Sequence, residues 1–198
     1  EDKPYELNIS WWSAMEDSSR DSKRFQFERF ILTQLLVMAL KGVPAFYLPA
    51  LLASENDIKS FSMTGQRRDL NREKFKLDNL VSVLNNPESN ANKNIKYLGN
   101  AMDIRSKLEQ FHPSSEMECL SKGRSDIVVI KRGKGPKSVF AIHNMTENKI
   151  NYQLNDYDLP EIIDNDFNMK DFLASTKYNW KNISLDPFQV IWLGSLMK

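Results

Sequence analysis

The segment between Lys41 and Phe75 constrains the fold of this chain most, because an apolar stretch runs directly into an arginine-rich one. Its first part, residues 43–48 with the sequence VPAFYL, is apolar or aromatic throughout, which is typical of a parallel strand covered on both faces. The preceding stretch predicts a helix that Lys41 and Gly42 bring to an end. Helix, buried strand and polar loop in this order form one repeat of an α/β barrel, in which functional groups sit at the carboxyl ends of strands.

The second part of the segment, GQRRDLNR, is strongly polar. Within six positions it places five side chains that donate or accept hydrogen bonds: Arg67, Arg68, Asp69, Asn71 and Arg72. Such a set can hold several hydroxyls or an anion in fixed geometry. Arginines on a solvated turn, weakly paired with neighbouring acids, give the same pattern. Both interpretations stay open on the residues alone.

Two amphipathic helices are predicted from the spacing of apolar residues. The first runs from about Asp21 to Leu40 and can be capped by Asp21 or Ser22. Its apolar face comprises Phe27, Ile31, Leu35 and Met38. The second runs from about Ile95 to Phe111, after a polar loop at residues 85–94. The apolar run at residues 30–40 falls short of the ~20 residues that span a bilayer, so a buried helix is predicted and no membrane partner.

Past Pro113 the pattern changes to short strands. β-branched and aromatic residues are enriched in four segments: residues 125–131, 137–143, 149–154 and 187–193. They predict a small antiparallel sheet. We therefore expect two parts, a barrel part at residues 1–112 and an antiparallel β domain at residues 113–198. The aromatic side chains of Trp180, Phe188 and Trp192 could stack on sugars, but aromatic residues on strands more often fill the core.

The composition excludes several classes of protein. Lys and Arg number 27 against 26 Asp and Glu, a formal net charge of +1. This balance does not point to a nucleic-acid partner. The single cysteine, Cys119, excludes an internal disulfide and favours a reducing compartment, so a cytoplasmic protein is expected. His112 and His143 lack the spacing of metal ligands, so neither a metal nor a cofactor is predicted.

These motifs resemble the sucrose phosphorylase branch of the alpha-amylase superfamily, the family 13 glycoside hydrolases. Members of that branch carry a GxPxxY strand, an LLAxxND turn and a GRDxNR loop. The matching residues of this chain are Gly42, Pro44, Tyr47, Leu51, Leu52, Ala53, Asn56, Asp57, Arg68, Asp69, Asn71 and Arg72. The chain departs at Arg67, where the family usually has glycine. The resemblance implies an α/β plus β fold, the last units of a (β/α)8 TIM barrel followed by a small antiparallel β-sheet domain.

The resemblance also implies roles for individual residues. Arg68 matches the arginine that hydrogen-bonds the glucosyl unit in the donor subsite. Upstream, PYELNISWWSAM resembles the mobile acceptor-site loop, in which Tyr5 matches a tyrosine that approaches phosphate. Glu6 stands where sucrose phosphorylases usually show glutamine. A carboxylate there could accept hydrogen bonds from a polar acceptor such as glycerate, although an acidic residue on an exposed loop is often merely solvated.

Five further residues are interpreted as support for these loops. Asp69 and Asn71 are expected to bond backbone amides, and Arg72 is expected to brace a carboxylate. Trp11 and Trp12 are expected to anchor the base of the acceptor-site loop rather than to stack on substrate.

The implied activity is a retaining glucosyl transfer in which inorganic phosphate, as co-substrate, takes the glucosyl group off the enzyme. The catalytic carboxylates of the family lie on earlier strands and would precede Glu1, so no catalytic residue is named here. The expected partners are an α-glucoside such as sucrose or glucosylglycerate, phosphate, and an amino-terminal portion of the barrel. Two alternatives stay open: a non-catalytic fragment or interaction module, and part of an alpha-amylase family hydrolase.

Overall fold

The computed structural model describes residues 7–17, 23–121, 123–155, 159 and 168–195. The chain divides into two compact units: the first lies within residues 1–30 and 45–99, and the second within residues 31–44 and 100–198. The predicted boundary after residue 112 was drawn from composition rather than from contacts, and it stays a prediction.

Five α-helices lie in the described part of the chain: α1 (Gln26–Ala39), α2 (Leu48–Leu51), α3 (Ile58–Thr64), α4 (Leu77–Asn85) and α5 (Asn90–Lys107). Helix α1 confirms the first predicted helix and its apolar face. Leu35 and Met38 are fully buried, Ile31 is buried and Phe27 is half-buried. The two proposed capping residues, Asp21 and Ser22, lie outside the described residues.

Helix α5 begins earlier than its apolar periodicity predicts. The prediction assigned residues 85–94 to a loop, but the helix already begins at Asn90. The Ser89 hydroxyl accepts a hydrogen bond from the backbone amide of Asn92 at 3.1 Å, so serine caps the first turn. A capping side chain can therefore begin a helix before the apolar face does.

The first unit has a small aromatic core. Its buried members are Trp12, Phe30, Ala50 and Ala53. The Trp12 ring meets the Phe30 ring edge-on, with 5.2 Å between ring centroids. Trp12 is therefore an anchor, as predicted, whereas 40% of Trp11 is exposed.

The predicted strand at residues 43–48 is wrong. Residues 43–47 lie in no strand, Leu48 begins helix α2, and Val43 is 80% exposed. A parallel strand needs hydrogen-bonded neighbours, and no described residue pairs with this segment. The barrel portion of the predicted fold therefore stays a prediction.

The second unit contains eight antiparallel strands in its described part. They are β1 (Met117–Cys119), β2 (Ile127–Arg132), β3 (Val139–Asn144), β4 (Ile150–Tyr152), β5 (Asn168–Asp171), β6 (Lys177–Asn179), β7 (Ile183–Leu185) and β8 (Val190–Gly194). Six form one sheet in the order β1-β2-β3-β8-β5-β6, and β4 pairs with β7. Strands β2, β3, β4 and β8 confirm the four predicted segments, and the antiparallel sheet is as expected.

The centre of the larger sheet is the core of the second unit. Every residue of β3 and β8 is buried, and Ala141 lies opposite Trp192 in the register. Trp180 and Trp192 are buried, which confirms that they fill the core. Gly194 ends β8 against the Phe172 ring, where any Cβ atom would collide with that ring.

A fully buried arginine on β2 joins this sheet to the end of α1. The Arg132 guanidinium donates to the carbonyl oxygens of Ala39 at 2.9 Å, Leu40 at 2.8 Å and His112 at 2.9 Å. The last carbonyls of a helix have no partner within the helix, so this side chain supplies the donors they lack. Arg105 adds donations to Met38 at 2.9 Å and Gly42 at 3.0 Å.

We predict that Arg132→Met lowers the free energy of unfolding of the chain by about 3 kcal/mol or more, because several buried carbonyls lose their donor. Urea unfolding measures the change. Lys107→Gln, on an exposed lysine of the same unit, is the matched control and should change stability by less than about 0.5 kcal/mol. Equal urea midpoints for the two variants would contradict the assignment.

Candidate functional site

The LLAxxND turn is fastened to the segment that follows the acceptor-site loop. The Asn56 side-chain oxygen accepts from the Ser10 amide at 2.7 Å, and the Asn56 amide donates to the Ser13 hydroxyl at 3.1 Å. Just before it, the buried Ala53 has a φ of 49°, a left-handed conformation that is uncommon for a residue with a Cβ atom. The turn is therefore held in one conformation by specific bonds.

Asp57 connects this turn to the arginine-rich segment. Its amide donates to the Leu70 carbonyl at 2.8 Å, and its carboxylate accepts from both the amide and the hydroxyl of Ser60, which caps α3. The Ser60 hydroxyl, and then the Ser60 amide, lower the pKa of Asp57, with smaller contributions from Lys59 and Lys74. Asp57 is thus a charged capping residue.

The GQRRDLNR segment forms a 3-10 turn at Arg67–Asn71. Gly65 ends α3 in the left-handed region, with φ 66°, and reverses the chain before the turn. The Thr64 hydroxyl donates to the Asp69 carboxylate at 2.6 Å and accepts from the Gln66 amide at 3.1 Å. This network holds the arginine turn at both ends.

The supporting residues of this turn differ from the prediction in their partners. Asp69 binds a hydroxyl rather than a backbone amide. The buried side-chain oxygen of Asn71 has no hydrogen-bond partner in the described part of the chain. Arg72 is exposed, and it makes no ion pair with a carboxylate of residues that the structure describes.

The structure describes only part of the predicted binding set. Arg68 lies on the exposed side of the turn, as does Arg67. Tyr5 and Glu6 lie outside the described residues.

An open cavity of about 500 Å³ adjoins the Asn56 anchor and is lined in part by Ser13, Glu16 and Glu55. Arg68 does not line it.

Asn56 and Asp57 were not in the predicted binding set, yet their hydrogen bonds hold the LLAxxND turn and cap α3. The signal for them was present in the LLAxxND motif, whose last two residues make these bonds.

Metal binding and membrane insertion find no support in the described residues. No three His, Cys, Asp or Glu side chains among them come close enough to hold a metal ion. No helix in the same part of the chain has both the length and the apolar character to cross a bilayer.

Several solved structures share this fold, among them an alpha-amylase of Anoxybacillus, with a TM-score of 0.60 and 16% identity over 87% of this chain and 34% of that one. AmyP in complex with maltotriose matches with a TM-score of 0.66 and 17% identity, over 85% of this chain and 34% of that one. The trehalose-6-phosphate hydrolase of Bacillus licheniformis matches with a TM-score of 0.62 and 15% identity, over 91% of this chain and 40% of that one. At this identity the matches show a shared fold and nothing further.

The curated relatives narrow the class. Glucosylglycerate phosphorylase of Allomeiothermus silvanus is 29% identical over 73% of this chain and 26% of the relative. Glucosylglycerate phosphorylase of Spirochaeta thermophila is 30% identical over 65% and 22%. Sucrose phosphorylase of Streptococcus mutans is 22% identical over 66% and 24%. The chain is homologous to these phosphorylases over part of its length, which confirms the resemblance seen in the motifs.

The chain spans only a quarter or so of the length of these relatives, as the shares above show. Glucosylglycerate phosphorylase of Escherichia coli aligns with 96% of this chain, at 22% identity, and the match covers 32% of that relative. No family model matches the sequence. The activity of a whole phosphorylase is therefore a proposal for this chain.

We predict that Asp57→Ala lowers the stability of α3 by about 1 kcal/mol, because the helix loses its capping acceptor. Asp57→Asn should lower it less. Amide hydrogen exchange at Ser60 and Phe61 reports the change. The folded-state pKa of Asp57 lies below its unfolded value. The stability that the Asp57 carboxylate contributes is therefore fully present at a pH above its unfolded-state pKa. It is lost as the pH falls through its folded-state pKa. The protection factor, which corrects for the intrinsic slowing of exchange in acid, should decrease as pH falls for the native chain and stay level in Asp57→Asn. The same acid dependence in both would refute the role.

Proposed function

We propose that this chain is part of a retaining glycoside phosphorylase that transfers a glucosyl group from an α-glucoside to phosphate, giving glucose 1-phosphate. The observation that carries the proposal is the homology to glucosylglycerate and sucrose phosphorylases. The match to the Escherichia coli relative spans 96% of the chain and therefore includes the motif residues. The fold shared with alpha-amylase family enzymes supports it. The free thiol of Cys119 is in keeping with a cytoplasmic setting.

Arg68 is the residue that we assign to the glucosyl unit. A planar guanidinium presents five N–H donors and suits two neighbouring sugar hydroxyls. Its turn is braced by the Thr64–Asp69 bond and by the Asp57–Leu70 bond. These bonds hold the turn, and the Arg68 side chain is exposed on it.

Phosphate and the second substrate group are assigned to the acceptor-site loop. Tyr5 can donate its phenolic hydroxyl to a phosphate oxygen without adding charge. Glu6 favours a hydroxylated acceptor such as glycerate, and three of the four relatives are glucosylglycerate phosphorylases, so we favour glucosylglycerate over sucrose. Cleavage would then release glycerate and leave a glucosyl ester on an enzyme carboxylate, which a phosphate oxygen attacks at the anomeric carbon.

The attacking carboxylate and the acid/base carboxylate are not assigned to this chain. We propose that they come from an amino-terminal portion of the barrel, which would pack on apolar side chains that are exposed in the first unit. Met63 is 78% exposed and Leu77 is 73% exposed. The same exposure favours the second candidate, an interaction module that binds a protein partner without catalysis.

We predict that Arg68→Ala, made in the complete enzyme with its carboxylates, lowers kcat/KM for phosphate-dependent cleavage of glucosylglycerate by roughly 30- to 150-fold. This range corresponds to the loss of about 2–3 kcal/mol from a charged hydrogen bond. Arg67→Ala is the matched control, because Arg67 is exposed on the same turn, and it should lower the rate by less than about threefold. Equal effects of the two substitutions would show that Arg68 has no special position.

We predict that the 198-residue chain alone releases no glucose 1-phosphate from glucosylglycerate or sucrose in the presence of phosphate. The reason is that glucosyl transfer needs an attacking carboxylate and an acid/base carboxylate, and neither is assigned to this chain. A coupled assay for glucose 1-phosphate measures the release. Turnover by the purified chain would contradict the proposed division of the active site.

A further inference from the structure

A second cavity of the first unit has a volume of about 390 Å³. Its lining residues precede and follow the arginine turn in the sequence. This is at the small end of the ~300–1,000 Å³ of ligand pockets. Its apolar lining includes Leu52, Phe75, Leu80 and Ala91, of which Leu52 and Ala91 are buried. The cavity therefore has an apolar floor large enough for the body of a small ligand.

Hydrogen bonds fix the walls of this cavity. The Asn92 side chain donates to the Leu84 carbonyl at 2.6 Å, and the Ser89 hydroxyl donates to the Val83 carbonyl at 2.7 Å, so α4 is tied to the start of α5. The buried Asn94 side chain donates to the carbonyls of Ala50 at 3.1 Å and Leu51 at 2.8 Å. These bonds tie α5 to the turn that supplies Leu52. The cavity is consequently formed before any ligand binds.

The rim of the cavity is positively charged. Three exposed lysines line it, Lys59, Lys74 and Lys76, against one carboxylate, Glu73. None of these four side chains makes an ion pair with any residue that the structure describes. Lysines elsewhere on the surface do find partners: Lys93 lies 2.9 Å from Glu88, and Lys107 lies 2.6 Å from Asp103.

Asp57, the nearest carboxylate in sequence to Lys59, forms no ion pair with the lysines of this rim. Both of its oxygens accept hydrogen bonds from Ser60, and no ion pair joins it to Lys59 or Lys74. The two lysines still act on Asp57 at longer range, since they help to lower its pKa. The three ammonium groups at the rim are therefore not engaged in ion pairs with described residues and are open to a ligand.

We propose that this cavity binds a small organic phosphate, with the phosphate held by the three ammonium groups and the body of the ligand on the apolar floor. A phosphate carries close to two negative charges at neutral pH, which matches three lysines opposed by one glutamate. The site is distinct from the arginine turn, because Arg68 does not line this cavity. It does not depend on the proposed phosphorylase activity, which guides only the choice of probe.

Lysine acetylation followed by peptide mass spectrometry tests the proposal on the 198-residue chain, with glucose 1-phosphate as the probe. We expect saturating probe to slow labelling of Lys59, Lys74 and Lys76 by about fivefold or more and to leave Lys93 and Lys107 unchanged. Glucose should give no protection. Inorganic phosphate and sulfate at equal ionic strength should protect at least about tenfold more weakly, because they lack a body to fill the floor.

Two variants sharpen the test. Lys74→Gln should raise the half-protecting concentration of glucose 1-phosphate about tenfold, whereas the control Lys107→Gln should not change it. Equal protection by sulfate, protection spread over all lysines, or the same concentration for both variants would overturn the proposal. The readout is labelling rather than turnover, so failure of the phosphorylase assignment would not produce any of these outcomes.

Discussion

The second unit depends on one buried guanidinium whose hydrogen bonds to described residues go to main-chain carbonyls. Arg132 is fully buried, and three of its carbonyl acceptors lie within 2.9 Å. A cation at the carboxyl end of a helix is favoured by the helix dipole, and the planar fork reaches several carbonyls at once. Because the acceptors are backbone atoms, these hydrogen bonds do not depend on which side chains the acceptor residues carry. The constraint falls on Arg132 and on Arg105, which holds Met38 and Gly42 in the same way.

Elements with a clear local pattern were mostly predictable, whereas the neighbours with which a segment pairs were not. The apolar face of α1 and the β-branched and aromatic enrichment of β2, β3 and β8 are local patterns, and these elements appear as predicted. Residues 43–48 carry an equally apolar pattern but form no strand. Composition describes what a segment prefers when it is covered on both faces; it does not supply the neighbours that cover it.

The candidate site shows the same limit at the level of side chains. Three motif residues make side-chain hydrogen bonds in these loops: Asn56 with Ser10, Asp57 with Ser60, and Asp69 with Thr64. The partners were harder to predict. Asp69 bonds the Thr64 hydroxyl because Gly65 reverses the chain and brings the end of α3 beside the turn. A short polar side chain takes whichever donor the fold brings within reach, and this choice is tertiary rather than local.

Charge pairing within the first unit decides which cations are left for ligands. Asp57 and Asp69 lie at the arginine turn, and their carboxylates accept hydrogen bonds from the neutral donors Ser60 and Thr64. Neither acid forms an ion pair with a described lysine or arginine. Hydroxyl partners hold these loops, so the two carboxylates do not take the lysines around the cavity as ion-pair partners. The loops can thus be rigid while the lysines around the cavity remain free to bind an anion.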